Sequence, residues 1–347
     1  MQEKQGHKYG LHRVIEPEGV LPQPAIRVNN NMEELYDNEI LCDVQTLNVD
    51  SASFTQIKQQ AEGDVEKIKE IMLGIVEQYG KHKNPVTGSG GMFIGTVKRV
   101  GSAIKDTIGL KEGDRIASLV SLSLTPLRID EIVEVHADHD QVDIKGQAIL
   151  FESAIWAKLP DDMSDKLALA VLDVAGAAAQ TANLVKPGDS VLIIGAAGKS
   201  GLLCAYEAKK RCGVSGKVIG TKYSPRGAEV ITEAPFVDEV IYADASKAVD
   251  MMEKTMGAND GKLVDVVINC VNNPDCEMGS ILPVRDGGIV YFFSMATSFT
   301  KAALGAEGIG KDVTMLIGNG YAPNHAEWTL EMIRESEYIR KIYEERY

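Results

Sequence analysis

Glycines at Gly195, Gly198 and Gly201 follow directly on an apolar run at 191–194 and open a helix-like pattern over 202–211. A buried strand, a tight turn and a helix N-terminus in that order make an anion site. The first N–H groups of the helix lack intrahelical acceptors, and that end of the dipole is positive. Glycine also lets the backbone approach a dinucleotide pyrophosphate closely. The residues placed for this are Gly195, Ala196, Ala197, Gly198, Lys199, Ser200 and Gly201. Their G-x-x-G-x-x-G spacing is looser than the G-x-G-x-x-G fingerprint, so a plain strand–helix turn is the competing reading. A nucleoside-triphosphate P-loop is excluded by spacing, because Ile193 stands where its leading glycine must be.

Strand-like runs follow at 217–221, 239–242, 263–269, 288–293 and 312–317, alternating with helical patterns. With 190–194 they give the strand count of a full Rossmann sheet, so the expected class is α/β with a doubly wound parallel sheet. Loops at the carboxyl edge of that sheet carry Thr221, Lys222, Tyr223 and Arg226 after the second strand, Cys270 and Val271 after the fourth, and Ser294 after the fifth. These are the further candidate cofactor residues. An NAD site usually has an acid about twenty residues beyond the glycines. Here that position offers Lys222 and Arg226 instead, cations suited to the 2′-phosphate of NADP.

The sheet begins near residue 190 of a 347-residue chain, so a separate unit must precede it. The first part reads as β-rich, with strand-like runs at 38–48, 92–100, 115–120, 131–135 and 147–151 and one amphipathic helix over 64–79 that Asp64 can cap. The junction is expected at 154–160, dividing the chain into 1–155 and 156–347. A helix and a half is expected over 164–184, and one long charged helix over 324–347.

Composition narrows the function. Hydrophobic content of 44% and charged content of 25% are those of a globular enzyme. The net charge of −14 argues against nucleic acid and suits a cationic substrate, or plain solubility. No apolar run is long enough to span a bilayer and the N-terminus has no signal-peptide core, so a cytoplasmic protein without a membrane partner is expected. Five cysteines, none in a C-x-x-C pair, read as buried thiols.

In combination, Gly95-Thr-Val-Lys-Arg-Val-Gly101, Leu110-Lys-Glu-Gly-Asp-Arg-Ile116, Val185-Lys-Pro-Gly-Asp-Ser-Val-Leu-Ile193 and Gly195-Ala-Ala-Gly198 resemble landmarks of the medium-chain dehydrogenase/reductase superfamily. That resemblance implies an N-terminal GroES-like catalytic domain joined to a Rossmann domain. The zinc-binding members carry a cysteine where this chain has Leu47-Asn-Val-Asp-Ser51, and G-H-E where it has Gly88-Ser-Gly-Gly91, so a zinc-free member is implied. Over its whole length, through Met1–Arg13, Leu47–Ser53 and Gly195–Gly201, the chain resembles the family of 3,5-diaminohexanoate dehydrogenases. This implies NAD-linked oxidative deamination of L-erythro-3,5-diaminohexanoate to 5-amino-3-oxohexanoate and ammonia in lysine fermentation. A homodimer or homotetramer is expected by the same analogy.

A substrate with two amino groups and a carboxylate calls for acids that hold ammonium groups and take up a proton. Alignment with the superfamily puts Asp50 and Ser51 at the region of the first zinc ligand, and Asp173 near that of the third. Asp173 lies within an apolar run, where an unpaired charge is costly. Glu152, at the junction, is the further catalytic candidate, and Lys83 or Arg128 can meet the substrate carboxylate. Each has a plainer reading: Asp50 as a turn residue, Asp173 as a solvent-facing helix residue, and Glu152, Lys83 and Arg128 as surface charges. Two alternatives stay open on the same scaffold, a zinc-independent quinone or enoyl reductase and a non-catalytic NADPH-binding relative.

Overall fold

A computed structural model describes residues 4–294, 296–318 and 320–346. Met1, Gln2 and Glu3 of the N-terminal segment and Tyr347 at the end of the expected last helix lie outside them. The chain divides into two compact units between Asp165 and Lys166.

The first unit contains β1 (Val14–Glu16), β2 (Arg27–Val28), β3 (Glu39–Val49), α1 (Ser51–Gln60), α2 (Val65–Tyr79), β4 (Gly91–Val100), β5 (Arg115–Ser118), β6 (Leu127–His136), β7 (Gln141–Phe151) and β8 (Trp156–Lys158). Six of these form an antiparallel sheet in the order β6-β7-β3-β4-β5-β8. Trp156–Lys158 was assigned from sequence to the second domain, but it pairs with β5, which moves the division past it. The Asp64 carboxylate caps α2, accepting from the N–H groups of Glu66 and Lys67 at 2.9 and 3.2 Å. Ile68, Met72, Ile75 and Val76 then fall on its buried face, at the spacing that one helical face requires. Gly80 ends α2 at φ +71, and a Cβ there would stand 2.0 Å from the carbonyl oxygen of Val28.

The N-terminal segment is pinned by a buried ion pair. Arg13 and Glu39 are both fully buried, with Nε and Nη2 on the two carboxylate oxygens at 2.8 and 2.7 Å. His12 adds a 2.7 Å contact to the same carboxylate. Burial alone would raise the Glu39 pKa, but Arg13 and His12 outweigh it and hold the group below the usual carboxylate range.

The second unit runs α3 (Asp165–Leu172, its first residue at the division), α4 (Ala175–Leu184), β9 (Ser190–Ile194), α5 (Lys199–Cys212), β10 (Lys217–Lys222), α6 (Glu229–Thr232), β11 (Glu239–Tyr242), α7 (Ala248–Ala258), β12 (Val264–Asn269), α8 (Glu277–Ile281), β13 (Val284–Phe292), α9 (Phe299–Gly308), β14 (Val313–Ile317), α10 (His325–Glu335) and α11 (Glu337–Arg346). Its sheet is parallel, in the order β11-β10-β9-β12-β13-β14. This is the doubly wound order, with its switch point between β9 and β12. Val191, Leu192, Ile193 and Ile194 are all buried, as a central parallel strand covered on both faces demands. The helix expected over 324–347 is two helices, because Ser336 adopts an extended φ −114, ψ 100. Among the described residues no single helix is long and apolar enough to cross a membrane.

Candidate functional site

The glycine loop of the second unit carries three glycines with three different reasons. Gly195 sits at φ +81, and a Cβ there would meet the Val271 side chain at 2.5 Å. At Gly201 a Cβ would stand 2.1 Å from the Gly195 carbonyl oxygen, so α5 could not pack onto the turn. Gly198 differs, because a Cβ there would meet only the Gly195 oxygen, at 3.3 Å. Its missing side chain leaves open space on the outer face of the loop, which is what a pyrophosphate needs.

The loop's hydrogen bonds point the same way. The N–H of Gly195 donates to Thr221 Oγ1 at 3.2 Å, Ala196 to the Thr221 carbonyl at 3.1 Å, and Gly198 to the Gly195 carbonyl at 3.0 Å. The N–H groups of Ala197, Ser200 and Gly201 have no acceptor among the described residues. They can donate to an anion at the N-terminus of a 14-residue helix. Lys199 is turned away into a 2.8 Å ion pair with Asp173.

Beside the loop, at the carboxyl ends of the strands, lies a pocket of 420 Å³ lined by Gly195, Thr221, Tyr223, Asp244, Val271 and Asn273. Tyr223 presents a largely exposed ring to it, and Thr221 is buried. Asp244 went unnoticed in the sequence because it follows the third strand, whereas the dinucleotide acid is sought after the second. Its Oδ1 accepts from the Ser246 hydroxyl and N–H at 2.8 and 3.0 Å, and these bonds hold its pKa below the usual carboxylate value. The Lys222 ammonium is engaged by the carbonyl of Arg226, while the Arg226 side chain is exposed. Cys270 donates its N–H to the Ile194 carbonyl at 2.9 Å, and its sulfur lies 3.9 Å from that of Cys204. Ser294 is buried, its N–H on the Asn269 carbonyl at 3.3 Å.

In the first unit, Asp50 stands between β3 and α1 at the N-cap position without capping the helix. Its Oδ2 accepts the Gly90 N–H at 3.0 Å instead. Ser51 is exposed on the first turn of α1. The loop 84–91 is stitched to that turn. The Ser53 hydroxyl meets those of Thr87 and Ser89 at 2.6 and 2.5 Å, and Asn84 reaches Gln56 at 2.7 Å. A Cβ on Gly90 would stand 2.5 Å from the Ser123 nitrogen, and one on Gly91 2.0 Å from the Asn48 carbonyl. The glycines that replace G-H-E are thus what lets this loop lie flat on the end of β3. Behind it, His82 is completely buried, close to the Gly90 backbone, with neither ring nitrogen in hydrogen-bond geometry with a described residue. Burial pushes its pKa down to about 4.

The remaining candidates have partners. Asp173 lies at the break between α3 and α4 and is exposed, because Val174 leaves the helical region at φ −121, ψ 13. The Glu152 carboxylate accepts from Asn38 Nδ2 at 3.2 Å, just after β7. Lys83 donates to the Gln23 carbonyl at 3.1 Å. Arg128 binds Gln147 at 2.9 Å and Asp130 at 2.9 Å. Possible ligand atoms of His136, Glu134 and Asp143 lie within 4.8 Å of one another. The third member comes from the neighbouring strand, so no sequence spacing reveals it. Both ring nitrogens of His136 face those acids, at 3.9 and 2.8 Å.

Comparison with known proteins adds the family. The profile of the L-erythro-3,5-diaminohexanoate dehydrogenase N-terminal domain matches residues 12–160. L-erythro-3,5-diaminohexanoate dehydrogenase of Acetoanaerobium sticklandii is 61% identical over 342 residues, 99% of each chain. The protein of that name from Fusobacterium nucleatum is 58% identical, again over 99% of each chain. Among solved structures, a quinone oxidoreductase of Pseudomonas syringae aligns with a TM-score of 0.53 at 20% identity, covering 96% of this chain and 88% of that one. A mycobacterial protein in complex with NADPH aligns with a TM-score of 0.55 at 18% identity, covering 87% and 81%. These two share the fold.

Proposed function

The chain belongs to the L-erythro-3,5-diaminohexanoate dehydrogenase family, and from that membership we propose that it oxidises the C3 amine of L-erythro-3,5-diaminohexanoate with a nicotinamide cofactor. The products are 5-amino-3-oxohexanoate and ammonia, as a step in lysine fermentation. The observation that carries this reading is the 61% identity spanning 99% of both chains. The glycine loop supports the cofactor, since it offers the N–H groups of Ala197, Ser200 and Gly201 and an open face at Gly198.

A bound nicotinamide supplies the acceptor for the hydride that leaves C3. The protein's part is to present a neutral amine and to manage protons and charge. Asp50 is the proposed proton acceptor for the C3 ammonium group, its carboxylate oriented by the Gly90 N–H. Asp173 is the proposed second acid and already holds one ammonium group, that of Lys199. Ser51 and Glu152 are the proposed further polar contacts. Loss of the proton and the hydride leaves an iminium at C3. Water adds there, and the resulting carbinolamine expels ammonia to give the ketone. We assign no metal to these steps: 47–51 and 88–91 hold no cysteine or histidine.

NAD is the preferred cofactor in this reading. The Asp244 carboxylate lines the pocket, where it disfavours a 2′-phosphate, and Lys222 is engaged by a backbone carbonyl. Arg226 is the group that favours NADP. A homodimer or homotetramer is proposed by family analogy, and sedimentation velocity checks it. The direct test mixes the protein with the diamino acid and either cofactor, following reduced nicotinamide and ammonia together. Equimolar appearance of the two, faster with NAD, is expected. No reduction of either cofactor overturns the proposal.

A further inference from the structure

The carbonyl groups on either side of Gly198 are both gripped by α11. The buried Tyr343 hydroxyl donates to the carbonyl oxygen of Lys199 at 2.7 Å, and the Arg346 guanidinium donates to that of Ala197 at 2.8 Å. Tyr343 and Arg346 are three residues apart, so they share one face of the helix. In a trans peptide the C=O and the following N–H point in opposite directions. Holding the Lys199 carbonyl toward α11 therefore turns the Ser200 N–H away from it. Arg346 occupies the carbonyl that the Gly201 N–H would reach in a regular i to i−4 bond, and that N–H is left without an acceptor among the described residues. Two of the three loop donors proposed for the pyrophosphate, the N–H groups of Ser200 and Gly201, are thus set from behind by side chains of the last helix.

We infer that Tyr343 and Arg346 are positioning residues for dinucleotide binding, acting through the Ala197 and Lys199 carbonyls rather than by touching the ligand. The inference rests on the dinucleotide reading above. Arg346 is exposed and makes this contact at the surface, so its removal leaves the core intact. Tyr343 is 1% exposed, and phenylalanine keeps its ring packing while deleting the donor.

The test titrates the full-length protein and its Tyr343→Phe and Arg346→Met variants with NAD and with ADP-ribose by calorimetry, with thermal melting and steady-state kinetics alongside. Loss of one such hydrogen bond should weaken both ligands roughly three- to tenfold. The KM for NAD should rise with it, while kcat at saturating NAD stays within about twofold. Arg346→Lys should recover part of the affinity. Unchanged dissociation constants in Arg346→Met and in a folded Tyr343→Phe overturn the inference, as does a loss of melting temperature without loss of affinity. A wild-type protein that binds neither NAD nor ADP-ribose instead refutes the dinucleotide reading itself. Should Tyr343→Phe fail to fold, Arg346→Met decides alone.

Discussion

The Asp50 carboxylate accepts the Gly90 N–H at 3.0 Å, tying the end of β3 to the glycine loop that stands where zinc-binding relatives carry G-H-E. Asp50→Asn keeps an oxygen for that N–H and removes the charge and the proton acceptor. Turnover should fall by roughly a hundredfold or more, the scale of general-base loss, with the dissociation constant for NAD unchanged. Steady-state kinetics and calorimetry on the variant check this, and unchanged deamination removes Asp50 from the mechanism.

Gly198 and Gly201 are separable by substitution. Gly201→Ala should lower the melting temperature markedly, because the new Cβ meets the Gly195 carbonyl at 2.1 Å. Gly198→Ala should cost far less melting temperature than Gly201→Ala, its nearest neighbour being at 3.3 Å, and should weaken NAD at least tenfold by standing where the pyrophosphate approaches. Melting curves and NAD titration of the two variants give the contrast. Tight NAD binding by Gly198→Ala would mean that the ligand does not approach there.

Glu39→Gln strips the buried Arg13 of its counter-charge. The cost should be about 3–5 kcal/mol in urea unfolding at pH 7. Because the folded Glu39 pKa lies below its unfolded value near 4.5, the pair's contribution is full above that value and is lost as pH falls through the depressed one. The wild-type advantage over Glu39→Gln should therefore hold above pH 4.5 and shrink as the pH falls below it. A constant difference down to pH 3 would contradict this.

His82 gives a second, higher window. The folded protein holds it neutral down to about pH 4, while the unfolded chain takes the proton near 6.5. Stability should be full above pH 6.5 and fall by about 3 kcal/mol between there and pH 4. His82→Phe should flatten that part of the profile. An unaltered pH dependence would place the imidazole in contact with water.

The second unit was largely legible because a parallel sheet covered on both faces writes itself as short apolar runs. All six strands fell where those runs predicted, and α2 followed from Asp64 and its apolar face. Long-range pairings were not legible. Trp156–Lys158 is too short to declare which sheet it joins, α1 has a weak apolar face after Asp50, and Ser336 looks helical until its backbone turns. The same holds for the site. The glycine loop is local, so its residues could be read off. Asp244, the Asp173–Lys199 pair and the grip of Tyr343 on Lys199 join residues far apart in the chain, and no spacing rule links them.

The central claim is that hydride leaves C3 as the amine on that carbon is lost. Substrate deuterated at C3 should be turned over with NAD, and the reduced cofactor and ammonia analysed by mass spectrometry and by assay. A reduced nicotinamide one mass unit heavier, equimolar with the ammonia released, is the predicted result. Unlabelled reduced cofactor, or reduction without ammonia, would contradict oxidative deamination at C3.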